Sequence, residues 1–219
     1  MVLIGKNIEF AILDMDGTLI DSTGIWLEID KEFFAKRGYN SVPKDYSQTI
    51  VHMGLQKGAE MTLEKYGVSE DTVESIIKEW RDASIEKYAN EIPLKPYALD
   101  FLKLLKNNGV KMAIATANDE ELYGPCLDRL AIRNFFDVIV DVNAVKQGKS
   151  SPAIFDYALR ELKGRKEATI VVEDTLMSLK TAYDAGYITI GVDDKSSKHL
   201  EEDKKKYSNK YVYSFKELL

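Results

Sequence analysis

Five short apolar runs, rich in β-branched residues, recur along the 219-residue chain: FAIL at 10–13, VKMAIAT at 110–116, FFDVIV at 135–140, ATIVVED at 168–174 and YITIGV at 187–192. Most are continuously apolar instead of alternating, the pattern of strands covered on both faces. Between the later runs lie segments of helical period, YALDFLKLLKNN at 97–108 ahead of Gly109, and SPAIFDYALRELKG at 151–164. Pro152 suits a first helical turn, and Gly109 and Gly164 suit helix ends. Strands alternating with helices predict an α/β fold on a doubly wound, Rossmann-like parallel sheet.

One interval breaks the alternation. From about Ser22 to Ile92 nothing reads as a strand, whereas IWLEIDKEFFAKRG (25–38) and DTVESIIKEWRDASIEKY (71–88) carry helical patterns. Pro93 and Pro96 in EIPLKP suit a linker. Roughly 70 residues is long for a single crossover. The expectation is therefore a small α-helical cap domain, 22–92, inserted after the first strand of a core domain made of 1–21 and 93–219. The alternative, helices covering one side of the same sheet, stays open.

Composition narrows the function. With 30 basic and 36 acidic side chains the net charge is -6, which gives no general attraction for nucleic acid or anionic lipid. The chain is 45% hydrophobic, enough for one sizeable core or a core with a smaller partner. No apolar run approaches the roughly 18 residues of a membrane span. MVLIGKNIEF breaks at Gly5 and Lys6 before it could form a secretory core. A cytoplasmic monomer with neither nucleic-acid nor membrane partners is the default expectation. Cys126 is the only cysteine, which excludes an intrachain disulfide and a thiol metal cluster. His52 and His199 are too few for a multi-histidine zinc site. Chemistry must come from carboxylates, hydroxyls and lysines. The charged segment KSSKHLEEDKKKYSNKY (195–211) reads as a solvated helix and turn.

The polar punctuation falls where such a sheet binds ligands, outside the carboxyl ends of its strands. Asp14 and Asp16 follow the first run, Thr116 and Asn118 close the second, Glu173 and Asp174 close the fourth, and Lys149 sits in the loop KQGKSSP before a helix. Each alone has a bland account: an Asp-Gly turn, a strand end, an N-cap. Their coincidence at one sheet edge favours function. Four converging carboxylates repel one another, so some must protonate or a cation must neutralise them. Oxygen ligands with room for water point to magnesium. Its charge would hold Asp14 ionised and bridge it to an anion such as phosphate. Asp14, at the strand end, then fits a nucleophile forming an acyl-phosphate. Asp16, pushed past the end by the turn at Gly17, fits the acid that protonates a departing alkoxide and later deprotonates water. Thr116 and Lys149 offer a hydroxyl and a positive charge to phosphoryl oxygens, and the Met15, Gly17 and Ala117 amides would add donors.

Four segments in order, DMDGTLIDS, IATAN, GKSSP and VVEDT, resemble the motifs of the haloacid dehalogenase-like superfamily, in its helical-cap branch of small-molecule phosphatases and β-phosphoglucomutase. The resemblance covers nearly the whole chain. It implies Asp14 as nucleophile, Asp16 as general acid/base and Thr116 and Lys149 as phosphate ligands. It makes Asp174 a magnesium ligand beside the Asp14 side chain and the Asp16 backbone carbonyl, with Glu173 helping through water, and puts Asn118 near the transferring phosphate. The chain departs from the family at Ser178, usually glycine, Ser150, often proline, and Ala153, often aspartate. None of these removes a reactive group.

Asp16 argues against dehalogenation, because that branch lacks the second aspartate, and against the transport ATPases, which carry threonine there. A phosphonatase would need a Schiff-base lysine in the cap, where Lys31, Lys36, Lys44, Lys57, Lys65, Lys78 and Lys87 read as solvated. β-Phosphoglucomutase has a histidine at the position matching Trp26, and HMGLQKGAEM (52–61) lacks its fuller signature, although Lys57 falls near its sugar-phosphate-binding arginine. The favoured expectation is a magnesium-dependent phosphatase acting on a small phosphorylated metabolite through a phosphoaspartate, with a sugar-phosphate mutase as the alternative. A receiver-like signalling module comes third, disfavoured by length, helical insert and Asp16. Trp26, His52, Met53, Gln56 and Lys57 are candidates for substrate contact in a cap that closes over the crevice, with Trp26 equally readable as cap core.

Overall fold

The computed structural model spans residues 1–219 and describes all except Asp45, Val51, His52, Gly54 and Val68, with the side chains of Ser47 and Gln48 also outside the description. His52, a candidate substrate contact, thus lies outside the described residues. The strands are β1 (Val2–Leu3), β2 (Lys6–Asn7), β3 (Phe10–Leu13), β4 (Lys111–Thr116), β5 (Val138–Asp141), β6 (Thr169–Glu173), β7 (Ile188–Val192) and β8 (Lys210–Val212). The α-helices are α1 (Ile25–Lys36), α2 (Tyr46–Ile50), α3 (Leu55–Tyr66), α4 (Val73–Asn90), α5 (Ala98–Asn107), α6 (Glu120–Arg129), α7 (Val142–Val145), α8 (Ala153–Leu162), α9 (Leu176–Asp184) and α10 (Glu201–Lys206). Among the described residues no helix is long and apolar enough to cross a membrane. The chain divides into two compact units, Met1–Thr23 with Ile92–Leu219, and Gly24–Glu91.

The first unit is a six-stranded sheet in the order β5-β4-β3-β6-β7-β8, parallel at every pairing, preceded by the antiparallel β1–β2 hairpin. This is the helix-flanked α/β sheet that the alternating runs predict. β3 is central because FAIL is apolar on both faces: Ala11, Ile12 and Leu13 are fully buried, paired with β4 on one side and β6 on the other. Ile12 packs with Ala113 and Val171 against Ile154, Phe155, Ala158 and Leu162 of α8. Each large side chain buried this way contributes about 1.5–3 kcal/mol. The chain moves from β3 to β4 and β5 on one side, then returns to β6 on the other, so the order reverses around β3 and β6. A crevice for ligand opens at such a reversal.

The second unit is helical. α1, α3 and α4 enclose Phe33, Phe34, Tyr46 and Trp80, with Phe34 edge-on to Tyr46 at 4.7 Å and to Tyr66 at 5.4 Å. Trp26 is not in this core; it is 48% exposed.

Two charged segments differ from expectation. Within 195–211, β8 extends the sheet beyond β7, and Lys204 is fully buried, its Nζ donating to Ser197 Oγ at 3.0 Å. The same ammonium lies 5.6 Å from the centre of the Tyr211 ring. Lys87 of α4 is also buried instead of solvated, drawn in by Glu32 at 2.9 Å with Glu28 and Glu91 further out.

Candidate active site

Hydrogen bonding carries β3 one residue past its apolar run: Asp14 N donates to Val172 O at 2.9 Å, which seats Asp14 beside the end of β6. The chain then turns sharply, with Leu19 N and Ile20 N both donating to Met15 O at 2.9 and 3.0 Å. Gly17 makes the turn possible with φ +75°, a region that side chains disfavour. A Cβ there would lie 2.4 Å from Asp174 Oδ2, so glycine is also what lets Asp174 approach. Thr18 Oγ1 donates to the other oxygen of that carboxylate at 3.2 Å. The Gly17 amide, expected to serve phosphate, is engaged within the turn, donating to Ile20 O at 3.0 Å. Closing the turn occupies this donor in the structure.

Lys149 reaches the same place from the loop before α8. Its Nζ contacts Asp14 Oδ1 and donates to Glu173 Oε1 at 2.7 Å, and all three side chains are buried. The other Glu173 oxygen, Oε2, accepts Asp174 N at 3.0 Å and Thr175 N at 3.1 Å. One Glu173 oxygen thus serves the start of α9, as the N-cap reading expected, and the other faces the lysine.

Asp16 stands apart from this cluster. It is partly exposed, and its Oδ2 accepts Asn118 Nδ2 at 2.7 Å. Asn118 N in turn donates to Thr116 Oγ1 at 3.1 Å, at the buried end of β4. A hydroxyl that accepts there still has its own proton to donate. Ala117 lies between them on the same strand exit. Asn118, expected near the transferring phosphate, holds the second aspartate.

The electrostatics show what the cluster can hold. Burial pushes Asp14 up to about 7, reinforced by Glu173 and Asp16 and resisted by Lys149. Burial likewise raises Asp174, with Glu173, Asp14 and Asp194 adding to it. Burial pulls the Lys149 ammonium down, but Asp14 and Glu173 outweigh this and hold it above the ordinary lysine value. Asp14, Glu173 and Asp174 each offer an oxygen within 4.8 Å of the others. A buried all-oxygen donor set with surplus negative charge fits a hard divalent cation. The Asp16 carboxylate is outside this set; only its backbone carbonyl was expected to contribute.

The remaining candidates belong to the second unit. Lys57 and Gln56 are exposed on α3, where Gln56 Nε2 donates to Glu60 Oε1 at 2.9 Å, and Met53 is half-buried. Sequence reasoning missed Thr18, Thr175 and Ser178. The first two stood inside the quoted motifs, but nothing in residue type separates a hydroxyl aimed at a carboxylate from one capping a helix.

The chain is similar to known proteins over most of its length. The family described as haloacid dehalogenase-like hydrolase matches residues 11–192. A phosphorylated carbohydrates phosphatase of Thermotoga maritima is 26% identical, covering 81% of this chain and 82% of its own. Protein CbbY of Cereibacter sphaeroides is 30% identical over 82% of this chain and 81% of its own. The crystal structure of CbbY from Rhodobacter sphaeroides in complex with phosphate superposes with a TM-score of 0.75 at 25% identity, covering 96% of each chain. The matched span runs from inside β3 to the end of β7 and holds every acid and lysine of the sheet edge, and the chain belongs to the haloacid dehalogenase-like hydrolase family.

Proposed function

We propose that this hydrolase is a magnesium-dependent phosphatase that cleaves a small phosphorylated metabolite through a phosphoaspartate at Asp14. The observation that carries the reading is the division between the two aspartates. Asp14 is buried against Lys149, while Asp16, two residues on, is held apart by Asn118.

In the first step an Asp14 carboxylate oxygen attacks phosphorus, the ester P–O bond breaks, and Asp16 gives its proton to the departing alkoxide. In the second, water attacks the phosphoaspartate and passes a proton to Asp16. The aspartyl P–O bond breaks, and inorganic phosphate leaves. Lys149 and the Thr116 hydroxyl hold phosphoryl oxygens, with the Met15 and Ala117 amides as further donors. Asp14, Asp174 and the Asp16 carbonyl would hold the cation, with Glu173 assisting through water. When bound, the cation supplies positive charge that keeps Asp14 ionised and draws the phosphate toward it. In this reading 1–21 and 93–219 form the catalytic core and 22–92 the cap, to which Lys57 and substrate selection are assigned. Support comes from the phosphatase relatives, the donor set and the separation of the two acids.

The test is a screen of phosphorylated metabolites and an aryl phosphate with magnesium, following phosphate release. Repeated turnover by the wild type and none by Asp14→Asn is expected; wild-type activity in Asp14→Asn sinks the mechanism. With β-glucose 1-phosphate and a bisphosphate activator the product should be inorganic phosphate, and efficient formation of glucose 6-phosphate would transfer the enzyme to the mutases. Stoichiometric labelling that stops after one event would instead indicate a receiver-like module.

A further inference from the structure

Thr175 occupies the N-cap position of α9, yet its side chain makes no capping bond to that helix. Threonine at such a position ordinarily accepts an amide of the first turn. Here its hydroxyl lies 3.1 Å from Glu173 Oε2 and 2.8 Å from Ser178 Oγ, which is itself only 1% exposed. A hydroxyl has one proton to give, and a carboxylate only accepts. Thr175 Oγ1 is thus within donating reach of both Glu173 Oε2 and Ser178 Oγ, and for its one proton to serve the carboxylate, Ser178 must give its own to Thr175 Oγ1.

We propose that Ser178 is a positioning residue of the active site: through Thr175 it fixes the Glu173 carboxylate, and Glu173 in turn aims Lys149 at Asp14. Ser178, Glu173, Lys149 and Asp14 are buried and Thr175 is exposed, and the links run Ser178 to Thr175, Thr175 to Glu173 Oε2, Glu173 Oε1 to Lys149 Nζ at 2.7 Å, and Lys149 to Asp14. The arrangement explains why a hydroxyl sits at a place where a helix start needs none. The Asp174 and Thr175 amides donate to Oε2 at 3.0 and 3.1 Å. The Thr175 hydroxyl adds a side-chain donor that pins the rotation of the carboxylate about its last bond. A ligand-holding network of this kind loses function when its outer members are removed, even though they touch no substrate.

The kinetic part of the test rests on the phosphatase reading; the crystallographic part does not. Ser178→Ala and Thr175→Val should each lower kcat on an aryl phosphate about fivefold, the scale of one hydrogen bond, with KM within about twofold. Thr175→Ser, which keeps the hydroxyl, should stay within about twofold of wild type. Because Ser178 acts only through Thr175, the double variant Ser178→Ala/Thr175→Val should be no slower than Thr175→Val alone. Losses that multiply in the double variant, or an unchanged Ser178→Ala, overturn the proposal. Crystal structures of wild type and Ser178→Ala should show the Glu173 carboxylate rotated and its Lys149 contact lengthened in the variant; an unmoved Glu173 also overturns it. A wild-type enzyme inert toward every phosphate ester would sink the phosphatase reading, and the crystal structures would then decide this one alone.

Discussion

Asn118 Nδ2 donates to Asp16 Oδ2 at 2.7 Å, so the end of β4 holds the aspartate that the turn after β3 projects beyond the sheet. Proton transfer to a leaving alkoxide needs the acid at a set distance and angle. Asn118→Ala would remove this bond and leave the Asp16 carboxyl itself unchanged. The expected loss in kcat is about tenfold for an alkyl phosphate, a fraction of what a general acid contributes. It should be much smaller for p-nitrophenyl phosphate, whose leaving group departs without a proton. Equal losses on both substrates would mean that Asn118 does something other than orient Asp16.

Gly17 is fixed by two demands at once, its φ of +75° and the 2.4 Å approach that a Cβ would make to Asp174 Oδ2. Gly17→Ala meets neither. The backbone part costs about 1–2 kcal/mol, and the steric part must push Asp174 away from Asp14 and Glu173. Magnesium binding measured by calorimetry should weaken about tenfold or more, as when a group supporting a metal ligand is displaced. A thermal shift without weakened metal binding would show that only the backbone strain is real.

The strand ends were legible because FAIL and ATIVVED are uninterrupted apolar runs that stop abruptly at acids. Burial on both faces leaves no other way to read them. Lys149 was legible by its motif, although its loop carries no periodic pattern. The strand at Lys210–Val212 was hidden because it is short and follows EEDKKK, whose charges dominate any window. Lys204 and Lys87 were hidden for a related reason: sequence gives the charge of a lysine but not whether a hydroxyl or three glutamates receive it. Asn118 was expected near the transferring phosphate, and its bond to Asp16 was not legible.

Within the helical unit, Arg37 forms a two-pronged pair with Asp71 at 2.6 and 2.8 Å, donates to Glu79 at 3.0 Å and lies 3.5 Å over the Phe33 ring. The Arg37 and Asp71 side chains are only 7% and 9% exposed. Removing one partner of such a pair leaves the other buried without it, at a cost of about 3–5 kcal/mol. Arg37→Met should lower the melting temperature by several degrees. Arg37→Lys should recover little of this, because an ammonium cannot reproduce the planar fork. Full recovery by lysine would show that charge alone, without geometry, holds α1 to the start of α4.

Asp194, at the exit of β7, accepts Thr23 Oγ1 at 2.6 Å and Lys95 Nζ at 2.9 Å on one oxygen, and Ser196 N and Oγ at 3.0 and 2.6 Å on the other. Thr23 and Lys95 flank two backbone stretches that are themselves paired, with Asp21 N donating to Pro93 O and Lys95 N to Leu19 O. Burial pushes the Asp194 carboxyl up, but the bonds from Ser196, Thr23 and Lys95 outweigh it and bring it down to about 2 from an ordinary value of 3.8. A carboxyl whose folded value is depressed adds stability that is fully present above its unfolded value and is lost as pH falls through the folded one. For Asp194 that window runs from about pH 4 down to about pH 2. Asp194→Asn should therefore melt lower than wild type at pH 7, and the gap should narrow steadily as pH is taken through that window, because protonating the native carboxyl does what the substitution has already done. A gap that stays constant from pH 7 to pH 2 would mean that the asparagine is damaging packing, and that the hydrogen bonds to Thr23 and Lys95 contribute no charge-dependent stability.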